Sequence, residues 1–303
     1  MSSKSKKRSM KDMHETGTGL SAEDGVYLRP SSAAARRFTR PLNSGSDDII
    51  EGSPPARTHP APALKLRSSS KWDALEMVEQ GSAKHLSKTT PLVDFFRGSP
   101  ASKAFDLLRT RLRQTAMKHA WKNIAICAPT SGCGNSFAAA NLAMSLSRVP
   151  SSRTVLMDLN LRNPGQAQAF DVDAPGPIKP YLAGETALSD HLIRVNDRLA
   201  LGLNNTTDKN AAELLQDPAT HATLERMQAS LRPDMVLFDL PPLLAYDDLT
   251  AFMPQLDGVL LVSDGTQTMA KHLASCERIL KGQVPLLGVI LNRARANSIE
   301  KFH

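Results

Sequence analysis

From about residue 99 onward two textures alternate along the chain: short runs that are apolar at almost every position, and longer stretches in which apolar side chains return every three or four residues. The stretch SPASKAFDLLRTRLRQTAMKH places Ala104, Leu107, Leu108, Leu112 and Ala116 near the i, i+3, i+4 spacing behind a Ser-Pro start, which predicts a helix. NIAICAP then reads as a strand running into a loop, and SFAAANLAMSLSR as a helix. TVLMDL, LALGL, MVLFDL, GVLLVSD and LLGVILNR read as further strands; LSDHLIRV, AAELLQ, ATLERMQASL, LTAFMPQL and TMAKHLASCERILK read as helices. Strands that are continuously apolar are covered on both faces. Strands separated by helices form a parallel sheet with right-handed crossovers, so the expected fold is α/β, a sandwich of helix, sheet and helix layers.

The first third lacks either period. Residues 1–70 are rich in Ser, Pro, Ala, Arg and Gly and carry too little apolar surface to offset chain entropy, so they are expected to be disordered. Within this basic tail, KWDALEMVEQ (71–80) is expected to form one short amphipathic helix through Trp72, Leu75, Met77 and Val78. The domain plan is therefore a tail over 1–90, one folded domain over 98–295 and a short end over 296–303. No run approaches the roughly 18 apolar residues of a membrane span, and the basic N-terminus has no apolar stretch behind it. A cytoplasmic chain is expected. Three cysteines, Cys127, Cys133 and Cys276, have neither the number of a disulfide framework nor the spacing of a metal site. Net charge is +7, and residues 1–90 hold fifteen Lys/Arg against ten Asp/Glu. Such a tail is either a solvated solubiliser or a weak attraction for an anionic membrane surface, an acidic partner or nucleic acid, which ranks last.

Candidate chemistry sits where the first predicted strand meets the next helix, in APTSGCGNSF (128–137). A phosphate-binding loop needs glycines that let backbone N–H groups turn inward, a helix N-terminus, a Lys for the terminal phosphates and a Ser or Thr for Mg²⁺. Gly132, Gly134 and Ser136 meet these needs, whereas Asn135 stands at the Lys position, a donor without charge. A Gly-rich turn that binds nothing is the alternative. Asp158 closes TVLMD and Asp239 closes MVLFD; at the carboxyl ends of parallel strands both could face the loop and its metal.

SPASKAFDLLRTRL, APTSGCGNSF followed by NLA, DLNLRNP and FDLPP, in that order, resemble the bacterial tyrosine kinases of exopolysaccharide and capsule synthesis, within the ParA/MinD-like P-loop ATPases. AGETALSDHL, NAAELL and GVILNR also look like segments of that family, and the likeness runs from about Ser99 to Arg293. It implies a P-loop NTPase-like fold with a mostly parallel central sheet, and ATP with Mg²⁺ as cofactors. It also implies Gly132, Cys133, Gly134, Asn135, Ser136, Phe137 and Asn292 as nucleotide-binding positions. Ser136, Asp158 and Asp239 fall on the metal-binding positions, and Asp158, Asp239 and Arg162 on the catalytic ones.

The departures from that pattern fall on its charges. Asn135 replaces the Walker A Lys, Asn160 the second Asp of D-x-D, and Leu240 the Thr after the Walker B Asp. The family's E-x-x-R-x-x-R oligomerisation motif reads Lys103, Asp106, Arg109, and the closing RARANSIEKFH has no tyrosine where the family carries a tyrosine-rich tail. The resemblance so altered implies a regulatory partner of a membrane polysaccharide co-polymerase, with weak or absent catalysis, held at the inner face of the plasma membrane. An active tyrosine kinase in which Arg162 or a partner's cation replaces the Lys is the alternative, and a ParA-like ATPase the second.

Overall fold

The computed structural model describes residues 25–29, 71–80, 92 and 97–294; the rest of 1–96 and the end over 295–303 lie outside the described residues. Strands are β1 (Gly25–Arg29), β2 (Glu76–Met77), β3 (Asn123–Cys127), β4 (Thr154–Asp158), β5 (Leu192–Asn196), β6 (Leu199–Gly202), β7 (Met235–Asp239), β8 (Gly258–Asp264) and β9 (Leu286–Ala294). They form one sheet in the order β1-β9-β8-β3-β7-β4-β6-β5-β2. From β9 to β6 every neighbour is parallel; β5 runs antiparallel to β6, and β1 antiparallel to β9. Helices are α1 (Pro100–His119), α2 (Asn135–Ser147), α3 (Gln166–Phe170), α4 (Ile178–Leu182), α5 (Leu188–His191), α6 (Ala211–Gln216), α7 (Pro218–Leu231), α8 (Asp248–Phe252) and α9 (Ala270–Leu280).

The central strands send alternate side chains into two cores, which is why they read as continuously apolar. Ile124 and Ile126 of β3 pack with Leu156, Leu237 and Leu260 beneath α1 and α2. Ala125 and Cys127, with Val155, Met157, Val236 and Phe238, pack beneath α7, α8 and α9 through Leu224, Met227, Phe252, Cys276 and Leu280. Helix α2 lies between the sheet and α1 and is buried nearly all round, so small Ala residues fill positions where an amphipathic helix carries charge. Helix α1 starts as its sequence suggests, with the Ser99 hydroxyl accepting from the Ser102 N–H at 3.1 Å and Pro100 in the first turn.

Three readings change. LSDHLIRV is not one helix: α5 stops at His191, and Leu192–Asn196 pairs with β6, where β-branched Ile193 and Val195 suit a strand. Residues 71–80 form no helix; they make a turn and the two-residue strand β2, parallel to β5, and the Val78 N–H donates to the Arg194 carbonyl at 2.8 Å. Trp72 is fully buried, its indole N–H donates to the Asp197 carbonyl at 2.9 Å, and the Arg153 guanidinium lies 5.1 Å from its ring centre. The open edge of β5 thus outcompetes the local helical pattern. Gly25–Arg29, inside the stretch expected to lack structure, runs along β9 as an edge strand.

Trp72 ties the segment 71–80 to the domain, so Trp72→Ala should lower unfolding free energy by about 3–5 kcal/mol, read by guanidinium unfolding followed by circular dichroism. A change within error would show that the segment does not dock.

Candidate functional site

The loop after β3 is shaped by two glycines. Gly132 and Gly134 hold φ of 80° and 88°, in the left-handed region, and a Cβ at Gly134 would run into Asn292 Nδ2. Gly134 leads into α2 without a side-chain cap, so the first N–H groups of that helix are left for an anion. The loop's outward carbonyls are held from β9 and the loop after β8. Gln267 Nε2 donates to Ser131 O at 3.1 Å, Arg293 Nη1 to Gly132 O at 2.9 Å and Asn292 Nδ2 to Cys133 O at 3.0 Å. Arg293 also pairs with Asp264; burial acts against that carboxylate, yet hydrogen bonds from Thr266 and Arg293 hold it below its ordinary range. With the carbonyls tied back, the glycine cradle fits a phosphate group.

Asp158 and Asp239 are register partners at the ends of adjacent strands β4 and β7, and both are fully buried. Asp158 Oδ2 accepts from the N–H groups of Gly165 at 3.0 Å and Gln166 at 2.9 Å, while Oδ1 has no partner. Asp239 Oδ1 accepts from Asn135 Nδ2 at 2.9 Å and Oδ2 from Gln166 Nε2 at 2.7 Å. Burial, and then the charge of Asp239, push Asp158 well above the usual carboxylate range. Burial also raises Asp239, to about 6, against hydrogen bonds from Ser136, Gln166 and Asn135.

The expected site residues thus separate. Gly132, Cys133, Gly134, Asn135, Ser136, Asp158, Asp239 and Asn292 converge at the carboxyl end of the sheet. Asn135 does not reach toward the loop; it is buried, and it also donates to Leu240 O at 2.9 Å. Arg162, expected at the phosphates, grips Asp248 through Nε and Nη2, both 3.1 Å, and lies 5.0 Å from the Tyr246 ring centre. Phe137 packs edge-on against Phe105 of α1 at 6.2 Å. Asn160 Oδ1 accepts from the Asn163 N–H at 3.3 Å, a turn-forming role. Magnesium shared by Ser136, Asp158 and Asp239 does not fit the residues present, because both Asp239 oxygens already hold amide donors. Gln166 escaped the sequence reading; its only signal was an amide one residue after Gly165 at the end of DLNLRNPG.

No family model matches this sequence. Among curated proteins it is 28% identical over 205 residues to the putative tyrosine-protein kinase EpsB of Ralstonia nicotianae, covering 66% of this chain and 26% of that protein. It is 26% identical over 203 residues to the tyrosine-protein kinase YwqD of Bacillus subtilis, covering 66% of this chain and 84% of that protein. The solved kinase domain of the Escherichia coli tyrosine kinase ETK superposes with a TM-score of 0.59 at 26% identity, covering 66% of this chain and 79% of that domain. The chain is a relative of the bacterial tyrosine kinases. It spans about a quarter of the length of EpsB. The BceF tyrosine kinase domain, at 24% identity and a TM-score of 0.59 over 73% of this chain, shares the fold. That fold is the P-loop NTPase-like sandwich expected from the sequence, with a mostly parallel sheet.

For this kinase relative the buried acids set a pH dependence. Asp239 is held at about 6 against an ordinary 3.8, so between those values the folded protein keeps a proton that the unfolded chain has shed. Stability from this group is present at low pH and is lost as pH rises through about 6. The melting temperature of the wild type relative to Asp239→Asn should therefore rise from about pH 7.5 to about pH 5, by differential scanning calorimetry; a flat difference would contradict the burial of Asp239.

Proposed function

We propose that this chain is a kinase-like P-loop protein of exopolysaccharide biosynthesis, acting as a regulatory partner of a membrane polysaccharide co-polymerase with catalysis weak or absent. The family supports the polysaccharide setting: relatives are putative or established tyrosine-protein kinases, and another, at 30% identity over 59% of this chain, is the succinoglycan biosynthesis transport protein ExoP of Rhizobium meliloti. The observation that carries the loss of catalysis is Asn135. At the position where charge on the terminal phosphates must be neutralised, this chain has a neutral amide bonded to Asp239 and Leu240 instead. ATP with Mg²⁺ is the cofactor pair of the parent design, and the loop retains a cradle for the nucleotide's phosphates.

Partner docking replaces turnover as the activity in this reading. Among the described residues no helix is long and apolar enough to cross a membrane, so a peripheral position at the inner face of the plasma membrane rests on that partner, aided by the basic residues of 1–90. The helix α1 that carries Lys103, Asp106 and Arg109 no longer has the family's charge order. Asp106 is turned to Arg109 and Arg148, which favours a charge-complementary partner over a second copy. The alternative, an active kinase using Arg162 in place of the Lys, would require that guanidinium to leave the buried Asp248.

The wild type should show no ATP hydrolysis or tyrosine phosphorylation above background, alone or with co-polymerase membranes, whereas it should sediment with those membranes. Asn135→Lys should tighten a fluorescent ATP analogue by about tenfold to a hundredfold, the worth of a charge-assisted hydrogen bond. Turnover by the wild type that is lost in Asp158→Ala would sink this reading in favour of the active kinase.

A further inference from the structure

The amide groups around Asp239 have only one orientation that satisfies their neighbours. Asn135 Nδ2 lies between two acceptors, Asp239 Oδ1 and Leu240 O, both at 2.9 Å. Gln166 Nε2 also lies between two, Asp239 Oδ2 at 2.7 Å and Ser136 O at 3.1 Å. Flipping either amide would set its oxygen against two acceptors, so each presents N–H groups, and not an oxygen ligand, to the carboxylate. Asn135 begins α2 and Gln166 begins α3, and both are buried, so neither side chain is free to swing into solvent.

We propose that Asn135 and Gln166 form a fixed clamp on Asp239 that takes the place of a divalent cation, leaving the acid pair without a metal and the loop able to take a nucleotide's phosphates metal-free. The nucleotide half of this rests on the kinase-like reading above; the metal half does not. No Lys or Arg charge acts on Asp158 or Asp239 among the described residues, so the two amides are the chain's own stabilisation of Asp239, together with Ser136. A divalent ion of the Mg²⁺ type takes one or two carboxylates from the protein and fills the rest of its shell with water and phosphate oxygens; with both Asp239 oxygens held by the amides, Asp158 Oδ1 is the carboxylate oxygen left here. The oxygens left without a partner at this place are two, Asp158 Oδ1 and Gln166 Oε1, a set that one water molecule can complete.

The direct test is titration of the full chain with Mn²⁺, following the free ion by electron paramagnetic resonance. The wild type should take up no ion up to about 1 mM, above the roughly 10⁻⁷–10⁻⁵ M range of sensor-type carboxylate sites, while Asn135→Ala/Gln166→Ala should gain one Mn²⁺ that Asp158→Asn abolishes. Gln166→Ser, which removes one arm and keeps a small polar group, serves if the double variant does not fold. A wild-type Mn²⁺ site lost in Asp158→Asn would overturn the clamp, and so would folded clamp variants that bind no ion. In parallel, the affinity of a fluorescent ADP analogue should change less than about twofold when EDTA replaces Mg²⁺; a loss of about tenfold, equal to about 1.4 kcal/mol, would overturn the metal-free site. Absence of any ADP binding would remove the nucleotide half and leave the clamp to the Mn²⁺ result. ATP turnover would sink the regulatory reading without bearing on the metal.

Discussion

Two carboxylates buried side by side govern the architecture at the top of the sheet. Parallel pairing of β4 with β7 places Asp158 opposite Asp239, and neither strand can shift register without moving its alternating side chains out of both cores. Once there, the acids must be satisfied from within. The turn after β4 bends back so that the N–H groups of Gly165 and Gln166 meet Asp158, and the Gln166 side chain then continues to Asp239. Asn135 closes the ring from the start of α2. Loop, turn and two helix starts therefore depend on one pair of buried acids.

The phosphate loop is held from the opposite side by a second set of groups. Gln267, Asn292 and Arg293 tie three consecutive carbonyls outward, and the left-handed φ of 88° at position 134, with Asn292 packed against it, favours glycine there. This makes the cradle a fixed shape that does not depend on a ligand to form it. Shape and charge are separate in this chain: the glycine cradle is formed, while Asn135, at the position where the resemblance expects a Lys, is part of the packing around Asp239. The regulatory role proposed above rests on that separation.

Much of the fold could be read from periodicity because the central strands are buried on both faces and the helices between them are regular. Ser99 and Pro100 marked the start of α1, and Asp158 and Asp239 were recognisable as strand ends. The misreadings fell at the sheet's edges. There, a short segment such as 71–80 or 192–196 takes whichever partner is open, and the sequence carries the helical pattern without the competing β edge. Arg162 and Phe137 show the same limit within the site: their positions in the motifs were legible, but the pull of Asp248 on one and Phe105 on the other was not.

By itself the sequence determined the alternation of strands and helices, the place of the loop and the neutral side chains at Asn135 and Asn160, because these are properties of local pattern and residue type. Only the tertiary structure decided what the neutral residues do. Gln166 reaches Asp239 across 73 positions and Asn135 reaches it across 104, so the ring of amides around the acids exists only once β4 and β7 lie side by side. A side chain's hydrogen-bond partners are set by distances in space, and for buried groups so far apart in the chain no local pattern encodes them.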